Sequence, residues 1–305
     1  MASISVKIGE INASHLNRPS PELRKKNRIQ TIQSSLAIEG NTLTEDQITA
    51  LFENKRVLGP AKDIKEVVNA IEVYSRLGEF RPYESKSFLK AHRILMEGLV
   101  ESPGRYRSES VGIVKGSVVA HLAPPAIRVH PLMEDLFSFV RDAKDLMLIK
   151  SCVFHYEMEF IHPFLDGNGR MGRLWQTLLL MEENTLFEFL PIETIIKEKQ
   201  ALYYEALSKS DKAGESTIFI EFMLSVIDVA LEEVLENQTA NLSPQARIEL
   251  FRSIIKDESF DRKQYMRFYK DISSATASRD LTGAVESGQL SRSGEKRLTR
   301  YRFKD

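Results

Sequence analysis

The residues that most restrict what this chain can become lie between positions 162 and 173, His-Pro-Phe-Leu-Asp-Gly-Asn-Gly-Arg-Met-Gly-Arg. Ahead of them Leu146, Ile149, Val153, Tyr156 and Phe160 step by three and four, which predicts a helix. An apolar run over 174–181 follows at once and predicts a second helix. The stretch therefore reads as a glycine-bearing loop that feeds a helix N-terminus. Such a loop can turn backbone N–H groups toward an anion, and the helix end favours negative charge. Arg170 and Arg173 are three positions apart, so on a helix they share a face and can grip one polyphosphate. Asp166 can hold a divalent cation between phosphate oxygens. His162 is left as a base beside them.

Other readings of the same letters fit less well. Gly167, Gly169 and Gly172 spell G-x-G-x-x-G, but the dinucleotide fingerprint needs a strand before it, and the preceding segment has helical spacing. A Walker loop is excluded because no Gly-Lys-Ser/Thr follows. A metal hydrolase could collect His155, Glu159, His162 and Asp166, yet the H-E-x-x-H spacing is absent. A capped turn with surface arginines would leave a base, an acid, a Gly-Asn-Gly loop and two guanidinium groups converging without an anion to bind.

The stretch matches His-x-Phe-x-Asp/Glu-Gly-Asn-Gly-Arg-x-x-Arg at every fixed position and so resembles the signature of Fic-domain proteins. That resemblance implies a mainly α fold, a Fic-type helical bundle. It also implies nucleotidyl transfer, usually of AMP from ATP onto a hydroxyl side chain of a target protein. On this reading Gly167, Asn168 and Gly169 receive the phosphates of ATP, and Arg170 and Arg173 hold the β- and γ-phosphates. Asp166 holds Mg2+, and His162 takes the proton of the attacking Ser, Thr or Tyr hydroxyl.

A second motif lies upstream. Ile29, Ile32 and Leu36 mark the apolar face of a helix that begins near Glu22 and carries Ser35-Leu36-Ala37-Ile38-Glu39-Gly40. Ser35 and Glu39 face the same way, and Gly40-Asn41 is a stop signal. Alone this is an ordinary capped helix. Beside the first motif it resembles the inhibitory helix of Fic proteins, Ser/Thr-x-x-x-Glu-Gly/Asn, placed N-terminal to the core. A Glu39 carboxylate paired with Arg173 would keep that arginine from the γ-phosphate and leave ATP misaligned.

Residues 104–125 break the helical pattern. Val111-Gly112-Ile113-Val114 and Val118-Val119-Ala120 flank Lys115-Gly116-Ser117, which predicts a β-hairpin. The region resembles the Fic flap in Gly104, Tyr106-Arg107, the hairpin, His121 and Pro124-Pro125. A free strand edge there could align an extended target segment beside His162. His121 itself reads as a hairpin-end residue. Further on, Tyr203-Tyr204 sits in a helix predicted near 193–208. A Tyr pair is usually core or interface, while the resemblance places these rings at the adenine.

The organisation expected is an N-terminal arm and inhibitory-helix region (1–60), a catalytic core (61–236), a polar linker (237–246) and a C-terminal module (247–305). Residues 1–21 are expected to be irregular, with Pro19 and Pro21 as breakers. The module reads as three helices and a hairpin, resembling a winged helix-turn-helix. From 288 to 305 it has six Lys or Arg against two acids, so residues 274–305 could meet DNA, with Thr276, Ser278 and Arg279 toward the groove. Protein contact is the equal alternative. Over the whole chain 42 Lys and Arg meet 43 Asp and Glu, which selects no polyanionic partner. A single cysteine, Cys152, permits no disulfide framework. With no long apolar run, the expectation is a cytoplasmic protein without a membrane anchor. The assembly state is open, a homodimer included. Two other functions stay open as well: a nucleotide-binding, DNA-associated transcription regulator without chemistry, and a Fic enzyme that removes AMP or uses another diphosphate donor.

Overall fold

The computed structural model describes residues 1–13, 21–109, 112–115, 118–241, 243–255, 259–269, 272–294 and 299–304. The predicted hairpin turn at Gly116-Ser117, Pro19, and the wing tip from Glu295 to Leu298 lie outside the described residues. The chain is mainly helical, with two separate two-stranded antiparallel sheets. It forms two compact units: residues 17–230, and residues 2–16 together with 231–305.

The first departure from expectation is at the start. Helix α1 (Ala2–Ala13) replaces the predicted irregular arm. Ile4, Ile8 and Ile11 recur at four and three, and Ile4 and Ile11 are buried. This short stripe was outweighed in the sequence by the prolines beyond it. Lys7 of α1 pairs with Glu232 at 2.5 Å.

The larger unit runs α2 (Pro21–Ile38), α3 (Glu45–Phe52), α4 (Ala61–Ser75), α5 (Ser85–Leu95), the hairpin β1 (Gly112–Lys115) and β2 (Val118–Leu122), then α6 (Ala126–Asp142), α7 (Met147–Ile161) and α8 (Asn168–Glu183). After them come α9 (Ile192–Glu198), α10 (Gln200–Ala213) and the first part of α11 (Thr217–Asn241). Helix α6 begins ahead of Pro131, although a helix after Pro131 was predicted. The hydrogen bond that proline forfeits would have ended on Ile127, which is 84% exposed, where water can serve the carbonyl. The single helix predicted near 193–208 is two, parted at Lys199 (φ −102°, ψ 28°) with neither Gly nor Pro to announce the break.

The core of this unit is aromatic. Phe88 meets Phe137, Phe154, Phe164 and Trp175 with ring centroids 5.0 to 6.1 Å apart. Trp175 also spends its indole N–H on the Pro82 carbonyl at 2.9 Å. Phe164, from the middle of the glycine-bearing loop, is fully buried there. Its burial contributes about 1.5–3 kcal/mol and nails the loop to the rigid α7–α8 pair.

The smaller unit adds α12 (Pro244–Ile255), α13 (Arg262–Phe268), α14 (Ser274–Glu286) and the hairpin β3 (Leu290–Ser293) and β4 (Arg300–Phe303). Helix α11 runs on through Asn241, so the linker predicted over 237–246 is largely helical. Phe251, Phe260, Tyr265, Leu281 and Phe303 share its core. The Arg247–Asp280 pair is buried inside it at 2.6 and 2.9 Å.

Candidate functional site

Helix α7 ends in an unusual residue. His162 caps it at φ 50°, ψ 59°, in the left-handed region. A non-glycine residue there costs of order 1–3 kcal/mol, and three donors hold it in place. Its own N–H reaches the Met158 carbonyl at 3.0 Å. Arg107 donates Nε to the His162 carbonyl at 2.8 Å and Nη2 to Ile161 at 3.2 Å. The same guanidinium reaches the carbonyls of Glu109 and Pro124 at 2.7 and 2.5 Å, on the two sides of the hairpin. Arg107 thus ties the base of the flap to the backbone of His162. The Nδ1 atom of His162 lies 3.4 Å from the Glu159 carbonyl, which can only accept. With the proton on Nδ1 this contact is a hydrogen bond, and Nε2 is then the nitrogen that could accept a proton.

The loop closes on itself next. Asn168 accepts the Phe164 N–H at its Oδ1 and donates Nδ2 to the Phe164 carbonyl, both at 2.9 Å. Its amide is thereby committed to loop geometry, and its contribution toward an anion is the backbone N–H. His92 of α5 is packed flat on Phe164, centroids 3.6 Å apart. It accepts the Gly104 N–H at Nδ1 (2.8 Å) and donates Nε2 to the Asp166 carbonyl (3.0 Å). Burial holds its pKa down to about 4, so a single neutral tautomer braces the loop.

Gly167 precedes α8 at φ 88°, a conformation that glycine reaches without penalty. The N–H groups of Asn168, Gly169 and Arg170 then open a helix of 16 residues, where first-turn donors lack helical partners and the dipole is positive. These elements line a cavity of about 780 Å³ with Glu39, Glu159, His162, Asp166, Gly167, Gly169, Arg173 and Tyr204 on its wall. Its far side is built from α10, including Leu207, Ser208 and Lys212.

The two motif arginines differ. Arg173 lines the cavity, but its guanidinium is taken: Nη2 donates to Glu39 Oε1 at 2.7 Å and to the Ser35 carbonyl at 2.9 Å, and Nε donates to Ser35 Oγ at 3.1 Å. Burial disfavours its charge, but Glu39, Tyr203 and Glu159 together outweigh burial and the net shift is upward. The Glu39 carboxylate lies so close over Gly169 that any side chain there would strike it. Arg170 does not line the cavity. It is buried, bonded to Glu66 Oε1 at 3.1 Å and to Asp166 Oδ1 at 2.8 Å. Asp166 Oδ1 also accepts the Gly167 N–H at 2.6 Å, and no described residue bonds Oδ2.

The tyrosines differ likewise. Both line the cavity, but Tyr203 is the more deeply buried and gives its hydroxyl to His155 Nε2 at 3.0 Å. His155 in turn reaches Gln176 Oε1 at 2.6 Å, and burial pushes its pKa down to about 3. His155 is thus a neutral core residue. Among the described residues no group of three or more His, Cys, Asp or Glu is gathered for a metal.

Sequence reasoning gave no role to His92 or Glu66, and Arg107 entered only as part of the flap resemblance. Glu66 left one trace, a carboxylate aligned with Ala70 and Val73 on the buried side of α4.

The fold and the site together define a helical protein with a glycine-bearing loop at a helix N-terminus and a histidine at its edge. Residues 82–180 match the model of the Fic/DOC family. A Fic family protein from Desulfovibrio desulfuricans is 39% identical, with a TM-score of 0.75 over 99% of this chain and 94% of that one. The chain belongs to the Fic family. Part of Fic-1 from Caenorhabditis elegans shares the fold at 18% identity, with a TM-score of 0.62 over 78% of this chain and 74% of that one. The protein adenylyltransferase Fic of Nematostella vectensis is 29% identical over 72% of this chain and 52% of its own length. The fic-1 adenylyltransferase of C. elegans is 26% identical over 67% of this chain and 40% of its own. The chain thus spans about half the length, or less, of these named relatives. No described helix is long and apolar enough to cross a membrane.

Proposed function

We propose that this chain is a protein adenylyltransferase, held in a restrained state by its own α2. The observation that carries the reading is the Glu39–Arg173 contact of 2.7 Å above the Gly167-Asn168-Gly169 turn, with His162 on the same cavity wall. The names of the relatives agree with it.

In the reaction, ATP lies with its phosphates along the first turn of α8. A Ser, Thr or Tyr hydroxyl of a target segment enters beside the flap, at 104–125. His162 Nε2 takes the hydroxyl proton as the oxygen bonds the α-phosphorus. The bond from the α-phosphorus to the bridging oxygen breaks, and pyrophosphate leaves. The N–H groups at the start of α8 receive the charge that develops on the phosphate oxygens. Arg173, once released from Glu39, is the cation next to the cavity for the outer phosphates. Asp166 would hold Mg2+, and its donor set fits: one carboxylate at the lip of the cavity with Oδ2 unbonded by any described residue. Magnesium commonly takes one or two carboxylates and phosphate oxygens, and it supplies charge neutralisation there. Tyr204 and the more deeply buried Tyr203 border the base.

The chemistry fixes a direct test. Incubated with the protein and a lysate, ATP labelled in the α-phosphate is expected to mark protein bands, and ATP labelled in the γ-phosphate to mark none. Label from the γ position only would replace AMP transfer with phosphoryl transfer.

A second role is supported by charge. From Pro244 onward the chain carries fourteen Lys or Arg against nine Asp or Glu, although the whole chain is near neutral. The three helices and hairpin of this unit resemble a winged helix. Arg262 bonds Ser278 on α14 and Arg300 bonds Gln264 on α13, so exposed basic residues gather along these elements. We infer duplex DNA binding through residues 274–305. Gel shifts are expected to weaken steeply as salt rises from about 50 to 200 mM, as counterion release requires. Absence of any salt-dependent shift would leave protein contact as the role of this unit.

A further inference from the structure

Behind the loop, a line of polar contacts joins the end of α2 to Asp166. Asn41, just past α2, donates Nδ2 to Glu66 Oε2 at 2.8 Å and to the Asp63 carbonyl at 3.1 Å. Glu66, on α4, keeps only 7% of its side chain exposed and gives Oε1 to Arg170 Nη1 at 3.1 Å. The exposed Lys62 ammonium is farther off, at 3.9 Å. Arg170 is 5% exposed, and its remaining contact is Asp166 Oδ1 at 2.8 Å, on a carboxylate that is 46% exposed. The Arg170 Nε makes no hydrogen bond with any described residue. One buried guanidinium is thus shared between a buried carboxylate and one at the cavity lip.

This sharing matters because a buried charge seeks full compensation. With Glu66 ionised, the trio of Glu66, Arg170 and Asp166 carries one net negative charge, and that charge sits where Asp166 meets the cavity. Without the Glu66 charge, the pull of Arg170 falls wholly on Asp166, and the trio is neutral.

We propose that Glu66 is a positioning residue that sets how firmly Arg170 holds Asp166, and through it how well Asp166 takes the divalent cation that accompanies the nucleotide phosphates. This rests on the reading of Asp166 given above. Asn41 adds a connection: the segment that carries Glu39 against Arg173 also orients the carboxylate that holds Arg170. The end of α2 therefore bears on both motif arginines, on one directly and on the other through Glu66.

The experiment is a calorimetric titration of Mn2+ into the full chain saturated with ADP, with ADP affinity measured separately without metal. Glu66→Gln is expected to raise the Mn2+ Kd about tenfold, the scale of effect seen when a residue orienting a metal ligand is lost. The metal-free ADP Kd should stay within about twofold, because Arg170 remains outside the cavity. Glu66→Asp keeps the charge and should return the Mn2+ Kd to within about threefold of wild type. An unchanged Mn2+ Kd in the folded Gln variant overturns the proposal, as does an equal loss in the Gln and Asp variants, which would mark a packing effect. If the Gln variant does not fold, Asn41→Ala carries the test, with a rise of about threefold expected and no rise overturning it. Wild-type protein that takes up no Mn2+ with ADP overturns the reading of Asp166 as well as this proposal. Metal uptake by wild type with no effect of the variants overturns this proposal alone.

Discussion

Replacing Glu39 with glycine is expected to raise AMP incorporation about ten- to hundredfold, because a hydrogen bond between charged groups contributes about 1.5–3 kcal/mol and that is the hold being removed from Arg173. The pair is well placed for such an effect. Arg173 has 1% of its side chain exposed and Glu39 30%, so water screens the contact weakly. The substitution itself is mild, since Glu39 lies just beyond the last residue of α2 and next to Gly40, which already turns the chain at φ 92°. Arg173 would not be cast loose, because Ser35 still accepts from Nε and Nη2. Ser35→Ala should therefore do less than Glu39→Gly: it removes one neutral hydroxyl acceptor and leaves the opposing carboxylate in place. The measurement is initial rate of label transfer from α-labelled ATP at equal protein concentration. The sign discriminates between functions. An enzyme that removes AMP with Glu39 orienting water would lose turnover in the glycine variant. A nucleotide-binding regulator without chemistry would show no label in either form. An unchanged rate would end the claim that α2 restrains the site.

How far the sequence could be read depends on whether a partner sits nearby in the chain or across the fold. The loop, its entry into α8 and the histidine at its edge lie within twelve consecutive positions, and local spacing predicts their arrangement. Helices with a full apolar stripe were equally legible. What escaped was reached only through folding. Arg170 was expected at the phosphates, but its buried partner is 104 residues away on α4. His92 is 74 residues from the carbonyl it braces, and Arg107 is 55 from His162. His92 is a single polar residue in an otherwise ordinary stretch, and nothing in the local spacing around Arg107 or Arg170 points to its distant partner. Asn168 shows the opposite difficulty. It was visible, but whether its amide serves an anion or the loop is decided by Phe164, whose backbone takes both of its hydrogen bonds. Helix α1 escaped for a third reason: its stripe is three isoleucines long, and nearby prolines are the stronger local signal.

Substituting His162 with alanine in the Glu39→Gly background is expected to lower AMP transfer about one hundred- to ten-thousand-fold, the usual contribution of a positioned general base. The background matters, because in the restrained form a further loss would be hard to resolve. The loss should fall on kcat. The first-turn N–H groups, Asp166 and Arg173 do not depend on the imidazole, so the Kd for ATP should stay within about twofold. Folding is an informative control. His162 adopts left-handed angles that cost alanine about as much as histidine, roughly 1–2 kcal/mol, and the Arg107 bonds go to backbone carbonyls that alanine retains. A Tm close to that of the parent is therefore expected, and a collapse would mean that the ring is needed for structure. His162→Gln sharpens the point, since it can accept a hydrogen bond but is not a base; it should be about as inactive as the alanine variant. Transfer retained by both variants with ATP still bound would remove His162 as the base, and the proton would have to leave by another group on the cavity wall, of which Glu159 and Asp166 are the nearest in the chain.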